Sequence, residues 1–185
     1  MKSSVVLLAS LVTANAYADA FAFKDAAGFE KCMQLDHLIE HVKTADGGQA
    51  RVLGPDEIQP RCIDAAVKLI ARTKDKALAA ECVAITKRET APVMALDLIG
   101  ALVDLSLPAC NAMEVYEVLM QPLSSGHEED RAAAKAAAII KRCLKDKDFK
   151  KDFLEEKDSG DEARARNACR ILLEEKLVKS CKGGK

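Results

Sequence analysis

The sequence predicts an all-α fold of about eight helices, and three observations lead to that prediction. Alanine is abundant, and alanine and leucine both favour helix. Tryptophan is absent, aromatic residues make up only 4% of the chain, and all five prolines lie between or beside predicted helices. Strand-type alternation of β-branched residues is nowhere sustained. The chain is therefore expected to be helical almost throughout.

The amino terminus has the three parts of a cleavable signal peptide. Lys2 supplies a positive charge, residues 5–13 form an apolar run, and residues 16–18 (Ala-Tyr-Ala) give the small-x-small pattern of a cleavage site. The apolar run of about nine residues is much shorter than the roughly 20 residues that a membrane-spanning helix needs. We therefore predict cleavage between Ala18 and Asp19, a mature chain of 167 residues and no membrane span.

An export signal predicts a periplasmic or secreted protein. The mature chain contains no Asn-x-Ser/Thr acceptor, which together with the short signal favours a bacterial periplasm. Without Lys2, 27 basic residues stand against 29 acidic residues, so the concentrated basic face of a nucleic-acid-binding protein is not expected. A length of 167 residues suits a single domain.

This domain is expected to have three parts, namely an N-terminal helix and loop (19–60), a helical-repeat region (61–179) and a tail (180–185). An apolar stripe from Phe29 to Val42 predicts the first helix, and glycine and proline punctuate residues 44–60 as a loop. The predicted helices cover 26–43, 61–73, 74–87, 92–106, 108–120, 127–145, 148–157 and 160–179.

The predicted helix 92–106 is the most apolar of all. Its strongly polar interior positions, Asp97 and Asp104, share one narrow strip with Gly100. A helix that is apolar on nearly every side has to be covered on nearly every side. We therefore expect this helix to lie in the middle of the fold.

Four segments begin with a small residue and continue into bulky aliphatic residues, and they suggest an internal repeat. They start at residues 65, 95, 137 and 168, so the starts are 30, 42 and 31 residues apart, within the range of paired-helix repeats. In this respect residues 61–179 resemble HEAT or armadillo-like helical repeats, which usually act as protein-binding scaffolds. The resemblance implies stacked antiparallel helix pairs, an α-solenoid, and a protein or peptide partner. An orthogonal helical bundle is the alternative fold, because its composition would be similar.

The mature chain has seven cysteines, and no two of them form a Cys-x-x-Cys motif, which disfavours a thioredoxin-type or zinc-knuckle site. In an oxidising compartment, disulfides between helices are expected instead. We predict at least two disulfides. The candidate pairs are Cys32 with Cys62 and two among Cys143, Cys169 and Cys181, and the sequence leaves the connectivity open. The odd count leaves at least one thiol unpaired or bonded to another chain.

His37, Glu40 and His41 form an H-x-x-E-H sequence, which resembles the motif of inverted zinc proteases. On a helix, the two histidines of such a motif share a face and bind zinc, while the glutamate polarises a water molecule. Glu114 and Glu117 lie at a sequence distance that suits a third ligand. The resemblance covers five residues, and only eighteen mature residues precede it. We interpret the segment as a solvated helix face, with His37 and His41 as weak metal candidates.

No sequence motif indicates a catalytic site or a cofactor, and the chain is not expected to be an enzyme. The sequence predicts an exported interaction module of the bacterial envelope that binds a protein or peptide partner through its helical-repeat surface. Two alternatives stay open. One is a zinc-dependent hydrolase that uses the histidine motif, and the other is a structural envelope protein without a discrete ligand.

Overall fold

A computed structural model of the protein describes residues 20–44, 47–125 and 130–181, so the predicted signal peptide and its cleavage site lie outside the described residues. The described chain contains eight α-helices and one two-stranded hairpin. The helices are α1 (Ala26–Met33), α2 (Pro55–Thr73), α3 (Lys76–Glu89), α4 (Leu96–Leu105), α5 (Met113–Met120), α6 (Arg131–Cys143), α7 (Lys147–Glu155) and α8 (Glu162–Glu174), and the strands are β1 (Leu38–Thr44) and β2 (Gly47–Leu53). The prediction of a mostly helical chain is confirmed.

Four short 3₁₀ segments connect the helices. Pro92–Ala95 leads directly into α4, Leu107–Asn111 and Gln121–Ser125 flank α5, and Glu156–Asp158 follows α7. The predicted helices 92–106 and 108–120 are therefore each a 3₁₀ turn followed by an α-helix. In both turns a proline stands near the start, where its missing N–H group costs no hydrogen bond.

Aspartate side chains determine where five of the helices begin. The carboxylate before the first turn of α1, α3, α6, α7 and α8 accepts a hydrogen bond from a backbone N–H group that has no partner within the helix. These caps are Asp25, Asp75, Asp130, Asp146 and Asp161. The predicted start of α6 at His127 lies outside the described residues, whereas its cap and first turn, at Asp130 and Arg131, are described.

The hairpin corrects the predicted helix 26–43 and the predicted loop 44–60. α1 ends at Met33, and β1 then pairs antiparallel with β2, with Leu38 opposite Leu53 and Thr44 opposite Gly47. A short apolar run fits a strand as well as a helix, and the pairing partner here was a glycine-rich stretch that resembled a loop. The rest of the predicted loop is the start of α2, which opens with Pro55 at its first turn.

The hairpin is attached to the helices through one of its faces. Leu53 is fully buried, and Arg61 of α2 donates a hydrogen bond of 3.0 Å to Glu40 of β1. On the opposite face, the cross-strand pair Ile39 and Val52 is 47% and 65% exposed. This difference follows from the alternation of side chains along a strand.

Helix α4 lies at the centre of the helical array, as its composition predicted. It packs against α2, α3, α5 and α6. Six of its residues are buried, and Leu98 and Ile99 have no exposed surface, so each contributes on the order of 1.5–3 kcal/mol by leaving water. Its polar residues Asp97 and Asp104 remain exposed on one strip. Among the described residues, no helix is both long and apolar enough to cross a bilayer.

Candidate interaction groove

A long groove runs above the polar strip of α4, between the parallel helices α2 and α6. One hollow of about 360 Å³ is lined by the second half of α2 and by residues of α4 and α6. A second hollow of about 520 Å³ lies towards the N-terminal ends of these helices. Both hollows share Leu96, Asp97 and Lys135, so they form one continuous surface. We call this surface the groove; it is lined by residues within 60–74, 93–105 and 130–142.

The lining of the groove is mainly apolar and partly open to solvent. Val67 of α2 and Leu105 of α4 are half-buried, and Ala71 and Ala138 are exposed on the two walls. This concave, partly apolar surface with charged side chains at its edges is the candidate interaction site of the described chain.

Two ion pairs cross from α4 to α6 along the groove. Lys135 Nζ lies 2.7 Å from Asp97 Oδ2, and Arg142 donates a hydrogen bond to Asp104. In each pair the two partners are 38 residues apart in the sequence. The two aspartates are seven residues apart on α4, and their two partners are seven residues apart on α6. Equal offsets of this kind require that α4 and α6 run parallel. All four side chains are partly exposed, so each pair contributes only about 0–1 kcal/mol to stability.

Gly100 allows a charged side chain to lie across the floor of the groove. A Cβ atom at this position would stand 3.1 Å from Nη2 of Arg142 and 3.7 Å from the side chain of Ile139. The 3.7 Å distance is an ordinary van der Waals contact, whereas at 3.1 Å the guanidinium would have to shift by a few tenths of an ångström. The absence of a Cβ atom at Gly100 therefore leaves room for the present position of Arg142, and in a helix interior glycine costs about 1 kcal/mol relative to alanine.

The ends of the groove each carry a cation without an ion-pair partner among the described residues. Lys74 ends α2, where its backbone has a φ of 55°, and Arg131 is the first residue of α6. The four acidic residues that line the groove each have a partner within the chain. Asp97 and Asp104 pair with α6, and Asp64 forms a long, exposed pair of 4.0 Å with Lys68 of its own helix. The carboxylate of Asp130 accepts a hydrogen bond of 2.7 Å from the backbone N–H of Ala132.

A third hollow, of about 550 Å³, lies outside the groove and is lined in part by polar side chains that bond to one another. Arg164 of α8 donates two hydrogen bonds of 2.6 Å to Glu156, and the hydroxyl of Tyr116 on α5 donates a third. Burial of Tyr116 and its bond to Glu156 raise the pKa of the phenol above its usual range. Because these polar groups are already bonded to one another, we interpret the network as a joint between α5, the turn after α7 and α8.

Three cysteine pairs lie at disulfide distance. Cys32 of α1 is bonded to Cys62 of α2, with Cα atoms 6.0 Å apart, which is the pair that the sequence suggested. Cys169 of α8 is bonded to Cys181, with Cα atoms 6.2 Å apart, and this bond attaches the tail. The third pair, Cys110 with Cys143, has Cα atoms 5.7 Å apart and was missed, because spacing alone does not define connectivity. Three disulfides fit a protein of an extracellular or periplasmic compartment.

Cys82 is the free cysteine of the described chain. It is fully buried in α3, and burial, with a smaller effect of the Glu81 carboxylate, raises the pKa of its thiol to about 12. A thiol in this environment remains protonated and is a poor nucleophile. We interpret Cys82 as a core residue.

The structure does not place the histidine motif on a helix. His37 precedes β1 and His41 lies within β1, and both are exposed. Glu40, the residue that would polarise a water molecule, is instead bonded to Arg61 of α2. No group of three potential metal ligands, from His, Cys, Asp or Glu, occurs among the described residues. The prediction that these residues lie on one helix, on which the zinc-hydrolase alternative depended, is therefore wrong.

Sequence reasoning identified the strip of Asp97, Gly100 and Asp104 but not the residues that face it. Lys135 and Arg142 have the same seven-residue spacing as the two aspartates, and this match is a signal that could have revealed a parallel neighbouring helix. Searches against protein-family models, curated proteins and solved structures returned no match for this chain.

Proposed function

We propose that the protein is an exported, non-enzymatic interaction module that binds a segment of a partner protein in the groove. The observation that carries the proposal is the partly open apolar surface between α2 and α6, with Ala71 and Ala138 exposed on its walls. The groove is concave, with apolar side chains along its floor and charged side chains at its edges, and this combination favours a binding role over a purely structural one.

We also propose that α2, α4 and α6 are equivalent helices of stacked pairs, as in a HEAT-like solenoid. The equal offsets of the two ion pairs support a parallel arrangement of α4 and α6. α3 connects α2 to α4, and α5 connects α4 to α6, as the partner helices of such pairs would. In this arrangement the groove is the surface on which successive repeats align their first helices.

Site-specific photocrosslinking tests the binding role. A photoreactive phenylalanine analogue replaces Ala138 on the groove wall or, as a matched control, the exposed Ala80 on α3, which does not line the groove. In native host cells, we expect a discrete adduct with one partner from position 138 and none from position 80. No adduct at position 138, or the same set of adducts at both positions, would refute the proposal.

Export from the cytoplasm is a separate part of the proposal and has its own test. N-terminal sequencing of protein from the periplasm or the medium should begin at Asp19. The disulfides support this location, because such bonds persist in oxidising compartments. A mature protein that retains Met1 would contradict the predicted signal peptide.

A further inference from the structure

We infer that the segment bound in the groove is an amphipathic helix with carboxylates near both of its ends. This inference rests on the proposed function, and it specifies the class of partner. Its first basis is the length of the groove. Lining residues extend from Pro60 to Lys74 on α2, which corresponds to roughly 21 Å at the rise of an α-helix. A partner helix of about 14 residues has the same length.

The second basis is the chemistry of the walls, which favours a helix over an extended peptide. The groove is formed mainly by helices, and most of their backbone N–H and C=O groups are bonded within each helix; Pro60 of α2, which has no N–H, is an exception. An extended segment laid on this surface would bury backbone polar groups without partners, at a cost of several kcal/mol. A helix satisfies its own backbone groups and presents only side chains to the groove.

The third basis is the size of the side chains along the groove. Ala71, Gly100, Ala101 and Ala138 leave space above α4 between the two walls. Helices pack at interaxial distances of about 8–10 Å, and the shorter distances need small residues at the contact. Larger apolar side chains of the partner, spaced at i, i+3, i+4 and i+7, would then fill the two hollows.

The fourth basis is charge. Lys74 and Arg131 stand at opposite ends of the groove and form no ion pair with any residue in the described part of the chain. Asp97 and Asp104 already pair with side chains of α6. Asp64 of α2, which also lines the groove, lies 4.0 Å from Lys68 of the same helix, and Asp130 accepts a hydrogen bond from the backbone N–H of Ala132. The lining charges that have no such partner among the described residues are therefore positive, and they complement a partner helix that has Asp or Glu near each end.

The test is a selection from a displayed library of 18-residue peptides that contains both helix-forming and proline-rich, extended members. The bait is the oxidised full mature chain, and each selected peptide is then titrated against two variants, Ala138→Arg and the matched control Ala80→Arg. We expect helical, acid-flanked peptides whose Kd increases at least tenfold with Ala138→Arg and less than twofold with Ala80→Arg. The double variant Lys74→Glu/Arg131→Glu should also weaken them at least tenfold.

The outcomes separate the two proposals. Peptides that depend on Ala138 but are basic, or bind in an extended form by circular dichroism, would overturn the helix inference and leave the groove as a binding site. Peptides that bind Ala138→Arg as well as the native chain would overturn the inference. If, in addition, position 138 gives no photocrosslinked adduct, both the inference about the bound helix and the proposed binding function are refuted.

Discussion

Removal of the disulfide between Cys110 and Cys143 should destabilise the protein more than removal of the disulfide between Cys169 and Cys181. This bond closes a loop of 33 residues, and the entropy that it removes from the unfolded chain is about 12 cal/mol/K. At 25 °C this corresponds to about 4 kcal/mol. Typical domains are stable by only about 5–15 kcal/mol, so the double variant Cys110→Ala/Cys143→Ala should be near the limit of folding.

Urea unfolding without reductant, followed by circular dichroism, measures this loss. The matched control is Cys82→Ala, which removes one buried sulfur atom but no cross-link and should cost about 1 kcal/mol. The double variant lacks two sulfur atoms as well as the cross-link. The contribution of the cross-link is therefore the loss of unfolding free energy in the double variant minus twice the loss in Cys82→Ala. The slope of the unfolding free energy with urea should also increase, because the unfolded chain without the bond exposes more surface.

The same calculation gives an order for two of the bonds. Cys169 and Cys181 are 12 residues apart, so their bond should contribute about 3 kcal/mol, about 1 kcal/mol less than the bond between Cys110 and Cys143. A cross-link contribution below about 1 kcal/mol for Cys110 and Cys143, or a reversed order, would refute the loop-closure reasoning.

Three further predictions concern single residues. Alkylation should label Cys82 only after unfolding, because burial protects its thiol; labelling of the folded chain at neutral pH would contradict this. Burial and Glu156 raise the pKa of Tyr116 above its usual value of 10, so the native chain should lose stability as the pH rises above 10. Urea unfolding measures this loss, and a Tyr116→Phe variant that shows the same alkaline loss would refute the prediction. Asp146→Ala should cost about 1 kcal/mol in urea unfolding at pH 7. The N–H of Phe149 lowers the pKa of this carboxyl, so the part of the stabilisation that depends on its charge is lost as pH falls through that pKa, and the difference between the two chains should become smaller. A difference that is equally large at low pH would exclude the carboxylate charge as its source.

The position of α4 could be predicted from sequence because its composition leaves few alternatives. With Leu98, Ile99 and Leu102 on several faces and only the strip of Asp97 and Asp104 polar, it had to be surrounded. The predicted helix starts were less accurate, because the periodicity of apolar residues indicates that a helix is present but does not define its first residue. The aspartate caps contain that missing information, as each lies immediately before the first helical residue.

The hairpin could not be predicted from the periodicity of residues 38–44 alone. A run such as Leu38-Ile39-Glu40-His41 suits either a helix face or a strand, and its assignment depends on whether a pairing partner exists. That partner, β2, follows in a segment where Gly47 and Gly48 suggested a loop. The helical interpretation also created the apparent zinc motif, because two histidines four residues apart share a helix face only if there is a helix.

The groove required knowledge that sequence does not contain, namely which helices flank α4. Lys74 and Arg131 are 57 residues apart in the chain, and nothing in their local sequence relates them. They belong to one surface only because α2 and α6 both pack on α4. In contrast, the spacing of Lys135 and Arg142 repeats that of the aspartates on α4, and such a match between distant segments can be read before a structure is known.

Two of the disulfides include a cysteine of a groove wall, which relates the oxidised state of the chain to its proposed role. Cys62 stands between two lining residues in the first half of α2, and Cys143 follows Arg142 at the C-terminal end of α6. Each wall is therefore attached by a covalent bond to a neighbouring segment, α2 to α1 and α6 to the 3₁₀ segment before α5. A rigid site loses less conformational entropy on binding than a mobile one. If the groove binds a helix as we propose, we therefore expect the oxidised chain to have a higher affinity for it than the reduced chain.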